Sequence, residues 1–213
     1  VDENATNATV TVVRRGGLTG SATVQMATSD GTAINGTDYV GFTNTLFFAN
    51  GQNFTNLFVR ILDNSVPNLN KTINLSLLNP SPGAGLGAIN PALLTIVDND
   101  SVIEFSAGTY SVNESSSNAV ITVIRNGGGA GAVSVSYATA GGTATENVDF
   151  VVVTNQLFWA AGDIAPKTFD VPIINDSLVE GNETVLLSLS NPTGSASLGR
   201  AVAVLTIVDD DFL

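Results

Sequence analysis

The sequence predicts an all-β protein built as two tandem Greek-key β-sandwiches, the first lacking its leading strand. Three observations carry that prediction. The chain repeats itself at a fixed spacing, apolar residues inside each copy alternate with period two, and glycine turns punctuate the alternating runs. The 213 residues are 44% hydrophobic and 12% charged, enough to bury a core in two domains of ordinary size.

In chain order, copy one opens at Val1-Asp2-Glu3, the counterpart of Val112-Asn113-Glu114, so about ten leading residues have no match in it. The Arg14-Arg15-Gly16-Gly17 turn precedes a strand in which Ala22, Val24 and Met26 alternate with polar residues. Gly31-Thr32-Ala33 leads to Asp38-Tyr39, Asn50-Gly51 marks the next turn, and Ile73, Leu75 and Leu77 alternate again. Copy one closes on Leu94-Thr95-Ile96-Val97-Asp98-Asn99-Asp100, and the joint falls near Asp100-Ser101, giving domains 1–100 and 101–213. Copy two begins with Val102-Ile103-Glu104-Phe105 and Tyr110-Ser111-Val112, turns at Arg125-Asn126-Gly127-Gly128-Gly129, and alternates at Val133, Val135 and Tyr137. Gly142-Thr143-Ala144 and Asp149-Phe150 follow copy one at a spacing of 111, as does the closing Leu205-Thr206-Ile207-Val208-Asp209-Asp210-Asp211. Val185, Leu187 and Leu189 follow at 112. Trp159, matching Phe48, reads as core; Arg14, Arg15 and Arg125 read as solvated strand ends. Phe212-Leu213 read as the start of a further repeat, so the chain reads as a window of a longer array. The alternative is that a neighbouring chain donates the missing strand.

Composition removes many functions. With no His and no Cys, zinc sites, haem ligation, disulfides and every catalytic triad needing those residues are excluded. The net charge of −12 argues against nucleic acid as a partner, and no apolar run approaches the roughly 18 residues of a spanning helix. The glycines at 127–129 form no phosphate loop, because no Lys-Ser/Thr follows. Paired acids without an aromatic-lined cleft, recurring at equivalent points of a repeat, read as something other than an enzyme.

What remains is acidic chemistry. Copy one has seven acids and four bases, copy two twelve acids and three bases. Eight of the twelve lie at Glu114, Asp149, Asp176, Glu180, Glu183, Asp209, Asp210 and Asp211. Carboxylates gathered together repel unless a cation neutralises them, and calcium, a hard cation taking oxygen ligands, suits a set without His or Cys. Ten Asn-x-Ser/Thr sequons are also present, which makes N-linked glycans expected partners if the chain is secreted.

Glu after a first strand, an Arg-x-Gly-Gly or Arg-Asn-Gly-Gly turn, Gly-Thr-Ala followed by Asp-Tyr or Asp-Phe, and a closing Thr-Ile-Val-Asp-Asp-Asp resemble the Calx-beta domain family. The family includes cytosolic regulatory domains of sodium/calcium exchangers and extracellular arrays. The resemblance implies immunoglobulin-like sandwiches of seven strands with calcium in loops at one end. It places ligands in copy two at Glu114, Asp149, Asn175, Asp176, Glu180, Glu183, Asp209, Asp210 and Asp211, and a weaker set in copy one at Glu3, Asp38, Asp63, Asp98 and Asp100. Asn68 and Lys71 stand where copy two has Glu180 and Glu183; a lysine there brings charge of the wrong sign and is expected to pair with Asp63 or Asp98. The leading expectation is a calcium-binding structural module of an extracellular or cell-surface array, in adhesion or a filament, its partners neighbouring repeats of the same or an identical chain. One alternative is a cytosolic calcium sensor regulating a transporter. The other is a carbohydrate- or protein-binding module, which requires an exposed aromatic patch for which few aromatics are to spare.

Overall fold

The structure is a computed structural model that describes residues 1–212; the expectation that Phe212-Leu213 open a further repeat falls partly outside it. The chain divides into two compact units, Val1–Asn99 and Asp100–Leu213. All regular elements among the described residues are strands, and no helix is long and apolar enough to cross a membrane.

Unit 1 holds β1 (Asn7–Val13), β2 (Ala22–Asp30), β3 (Tyr39–Val40), β4 (Thr43–Phe48), β5 (Phe54–Ile61), β6 (Lys71–Leu78) and β7 (Ala92–Ile96). They form a three-stranded sheet, β1-β5-β3, and a four-stranded sheet, β4-β2-β6-β7. Unit 2 holds β8 (Ser101–Phe105), β9 (Thr109–Asn113), β10 (Asn118–Gly127), β11 (Val133–Gly141), β12 (Thr154–Trp159), β13 (Lys167–Pro172), β14 (Glu183–Ser190), β15 (Ala196–Leu198) and β16 (Val202–Val208). Its sheets are β13-β10-β8-β15 and β12-β11-β14-β16-β9. Unit 1 has no counterpart of β8, which in unit 2 pairs antiparallel with β10 and parallel with β15.

Period two decides what is buried. Val24 and Met26 of β2 and Ile73 and Leu75 of β6 turn inward to a core completed by Val59, Ile61 and Ile96. In unit 2, Val133 and Val135 of β11, Val185 and Leu187 of β14, and Ile103 and Phe105 of β8 do the same around Trp159. Trp159 is fully buried, and its indole N–H donates to Ala165 O at 2.8 Å, so the polar atom of the largest core side chain is satisfied.

Two expectations fail here. Arg125 is no solvated strand end. It is 3% exposed, and its guanidinium donates to the carbonyls of Asp163, Gly128 and Gly131, tying the glycine turn to the loop before β13. Glycines leave carbonyls uncovered, and a fork of N–H donors satisfies several at once. Aromatics are also to spare: Phe47, Phe54, Phe58 and Phe158 are each more than half exposed on outward strand positions.

Candidate metal centre

The Gly-Thr-Ala segment positions the first acid of each unit. A Cβ on Gly142 would lie 2.7 Å from Thr184 O, and one on Gly31 would lie 2.5 Å from Thr72 O, so only glycine lets the loop come this close. The next residue, Thr143, lies 3.2 Å from Thr184 across a hydroxyl–hydroxyl hydrogen bond, and the Ala144 N–H donates to Thr184 O. Ala144 itself is buried. The loop is thereby clamped to Thr184 at the start of β14, a strand whose first residue is Glu183. Asp149, closing the same loop, accepts the Thr145 N–H at 2.6 Å and faces Glu183. Unit 1 repeats the clamp with Thr32 and Thr72, and Asp38 accepts the Ile34 N–H at 2.7 Å.

The second approach comes from parallel strand pairing. β9 runs beside β16, and the Glu114 N–H donates to Val208 O, which sets Glu114 next to the closing acids. The loop between β13 and β14 then crosses over both. Glu114 accepts the Asp176 N–H, and Asp209 accepts the N–H groups of Glu180 and Gly181.

The result in unit 2 is two adjoining carboxylate groups. Glu114, Asp176 and Asp211 offer oxygens within 4.8 Å of one another, and so do Asp149, Glu180 and Glu183. A small cavity of about 10 Å³, lined by Glu114, Asp149, Glu180, Glu183 and Asp209, joins them. Among the described residues no lysine or arginine pairs with any of these acids.

The electrostatics record the crowding. Burial, then the Asp149 carboxylate and more distantly Glu180 and Glu114, push Glu183 up to about 7. Glu114 is raised by burial, against the Asp176 N–H that lowers it, with Asp176, Asp211 and Asp209 adding to the rise. Asp211 is raised by loss of water and by Asp209, Asp210 and Asp176. Asp209 goes the other way, held down by the N–H groups of Gly181, Asp211 and Glu180. Asp211 Oδ2 is buried without a hydrogen-bond partner. An all-oxygen set with an orphaned carboxylate oxygen, one carboxyl pushed up to about 7 and two more raised by burial and crowding fits a hard divalent cation.

Not every expected ligand joins. Asp210 is exposed between Asp209 and Asp211 and belongs to neither group. Asn175 is exposed, its amide donating to Asp176 O. In unit 1, Glu3 and Asp98 are buried with carboxylate oxygens within 4.8 Å of each other, and Asp38 is 2% exposed, whereas Asp63 is exposed. Asp100, the first residue of unit 2, is buried as well. Lys71 pairs with neither Asp63 nor Asp98. Its ammonium reaches Asp38 Oδ1 at 2.7 Å, because the clamp at Thr72 brings the neighbouring residue to that loop and not to the loop before β6.

Comparison with known proteins settles the family. The Calx-beta domain matches twice, over residues 1–100 and 97–211. The chain belongs to the Calx-beta family. As a Calx-beta pair it is 30% identical over 194 residues to the sodium/calcium exchanger Calx of Drosophila melanogaster, covering 90% of this chain and 20% of the exchanger. It is also 30% identical over 211 residues to sodium/calcium exchanger 1 of Rattus norvegicus, covering 89% of this chain and 22% of that protein. The crystal structure of the calcium binding domain CBD12 of CALX1.1 superposes with a TM-score of 0.52 at 25% identity, over 96% of this chain and 94% of that one. This chain thus spans about a fifth of the length of these exchangers, and nearly all of a solved two-domain piece. These relatives overturn the leading expectation of an extracellular adhesive or filament-forming array. They are exchangers, which favours the alternative that places the chain in a transporter.

Proposed function

We propose that this Calx-beta pair is the calcium-responsive regulatory part of an ion-transporting membrane protein, lying on the cytosolic side, with unit 2 as the calcium-binding module. The observation that carries the reading is the convergence of Glu114, Asp149, Asp176, Glu180, Glu183, Asp209 and Asp211 at one end of unit 2 with no basic side chain, among the described residues, paired to them. The likeness to the exchangers, and to a structure described as a calcium binding domain, supports the cation and the setting.

Glu114, Asp176 and Asp211 would hold one ion, and Asp149, Glu180 and Glu183 another. When bound, calcium supplies positive charge that cancels the repulsion among these acids and is satisfied by six to eight oxygens. The chain's own part is preparation. Backbone N–H groups hold Asp149 and Asp209 in place, while Glu180 stands exposed on the loop between β13 and β14. That loop is the element whose order depends most on whether the charge is neutralised, and so it is the natural carrier of a signal.

Calorimetric titration of the chelator-stripped chain tests the reading. Saturable binding with Kd of about 10⁻⁷–10⁻⁵ M is expected, the range of intracellular sensors, with more than tenfold weakening by Asp149→Asn. A Kd near 10⁻⁴–10⁻³ M, the range of extracellular modules, would count against the cytosolic setting. No heat and no change in melting temperature at about 1 mM calcium would end the proposal.

A further inference from the structure

Unit 1 repeats the scaffold of the unit 2 centre with the charges rearranged. The clamp is the same, since the Ala33 N–H donates to Thr72 O as Ala144 does to Thr184 O. The acid at the end of the loop is held the same way, Asp38 by the Ile34 N–H and Asp149 by the Thr145 N–H. What faces it is opposite in sign. Asp149 meets Glu183, whereas Asp38 meets the Lys71 ammonium at 2.7 Å, with the Asp38 side chain 3% exposed and that of Lys71 25% exposed. A second exchange points the same way. Where unit 2 has Asp176, unit 1 has Asn64, whose amide donates to the Glu3 carboxylate. Asn68 stands where unit 2 has Glu180, and its backbone N–H donates to Asp98 Oδ2 at 2.6 Å.

We infer that the Lys71 ammonium takes the place of a divalent cation at Asp38, so that the Asp38 side of the unit 1 centre is closed from within and needs no metal. The position does not fit calcium. An ion there would have to displace an ammonium already in contact with a buried carboxylate, and would gain no oxygen from the residue that supplied the ammonium. The consequence is a division of labour. Unit 2 changes with the cation, and the Asp38 loop of unit 1 is a fixed reference that does not. This rests on the calcium reading of unit 2 only for the contrast; the closure of unit 1 is a property of the metal-free chain.

Backbone amide resonances separate the two. During a calcium titration of the full chain to about 5 mM, beyond the range of weak sites, the amides of Thr145 and Asp149 are expected to move while those of Ile34 and Asp38 hold still. In the variant carrying Asn68→Glu and Lys71→Glu, which rebuilds the counterpart of the Asp149, Glu180 and Glu183 group, the Ile34 and Asp38 amides should move as well. In chelator, Lys71→Met should lower the melting temperature of unit 1 by about 5 °C or more, because it strands a buried carboxylate. Saturable movement of Ile34 and Asp38 in the unmodified chain overturns the inference. So does a Lys71→Met chain that melts like the parent, or a folded rebuilt variant whose Ile34 and Asp38 stay unmoved. Unmoved Thr145 and Asp149 would instead count against the calcium reading of unit 2, and the chelator arm would still decide the role of Lys71.

Discussion

Replacing Glu183 with Gln removes the unit 2 carboxyl whose protonation falls in the neutral range, and it does so without changing the shape of the side chain. Burial and the facing Asp149 push that carboxyl up to about 7. Calcium needs the carboxylate, so binding must first remove whatever proton is there, and apparent affinity falls by a factor of one plus the ratio of protonated to ionised form. With a value of about 7, that factor is about 11 at pH 6 and about 1.1 at pH 8, a tenfold loss of affinity worth about 1.4 kcal/mol. Calorimetry in buffers of different ionisation enthalpy should count close to one proton released per ion at pH 6 and almost none at pH 8. Glu183→Gln should bind more weakly throughout but with a much flatter pH dependence. The metal-free chain gives the same answer with opposite sense. The folded value lies above the ordinary one, so the folded state holds the proton more tightly between about pH 4.5 and 7. Stability is therefore highest at the acid end of that window and falls as pH rises through it. Discounted for partial exposure, the fall is about 1 kcal/mol, and Glu183→Gln should abolish it. A tenfold affinity change between pH 8 and 6 that survives Glu183→Gln would refute the assignment and place the proton on Glu114 or Asp211, the other raised carboxyls.

Three further outcomes follow from the geometry. Arg125→Met should destabilise unit 2 by about 2–4 kcal/mol in urea unfolding followed by Trp159 fluorescence, because three carbonyls lose their donor. Gly142→Ala should lower stability by about 1–3 kcal/mol and weaken calcium binding together, since the added Cβ, 2.6 Å from Thr184 Oγ1, pushes the clamp off the residue next to Glu183. Asp210→Asn should leave calcium affinity within about threefold by calorimetry while Asp211→Asn lowers it more than tenfold, because only Asp211 faces the cluster.

The sandwiches were legible because a half-buried strand writes itself as alternation, and two copies wrote the same alternation twice. The same rule, carried past the strand ends, would have sharpened the site. Adjacent residues of an extended chain point to opposite sides, so of Asp209, Asp210 and Asp211 the middle one had to turn away. It does, and so do Asn175 beside Asp176 and Asp63 beside Asn64. The partner of Lys71 was a different kind of problem. Nothing in a spacing says that Gly31 approaches Thr72 backbone to backbone, and without that contact Asp38 lies 33 residues away in sequence from the lysine it binds. Arg125 was misread for a related reason, since the carbonyls it gathers belong to glycine turns and a loop that become neighbours only on folding.

The differences between the units therefore carry more information than their likeness. The clamp, the loop and the bond from a backbone N–H to Asp38 or Asp149 are common to both units, so the scaffold alone does not distinguish them. What distinguishes them is the side chain placed opposite. A lysine there balances Asp38 from within unit 1, while a glutamate leaves the facing acids of unit 2 short of positive charge. A module in that second condition has two ways to relieve the strain, taking up a proton or taking up a metal, and the two compete for the same oxygens. On the proposed reading, calcium binding by unit 2 is for that reason tied to pH, and the strength of that coupling is set first by the burial of Glu183 and then by how closely it faces Asp149.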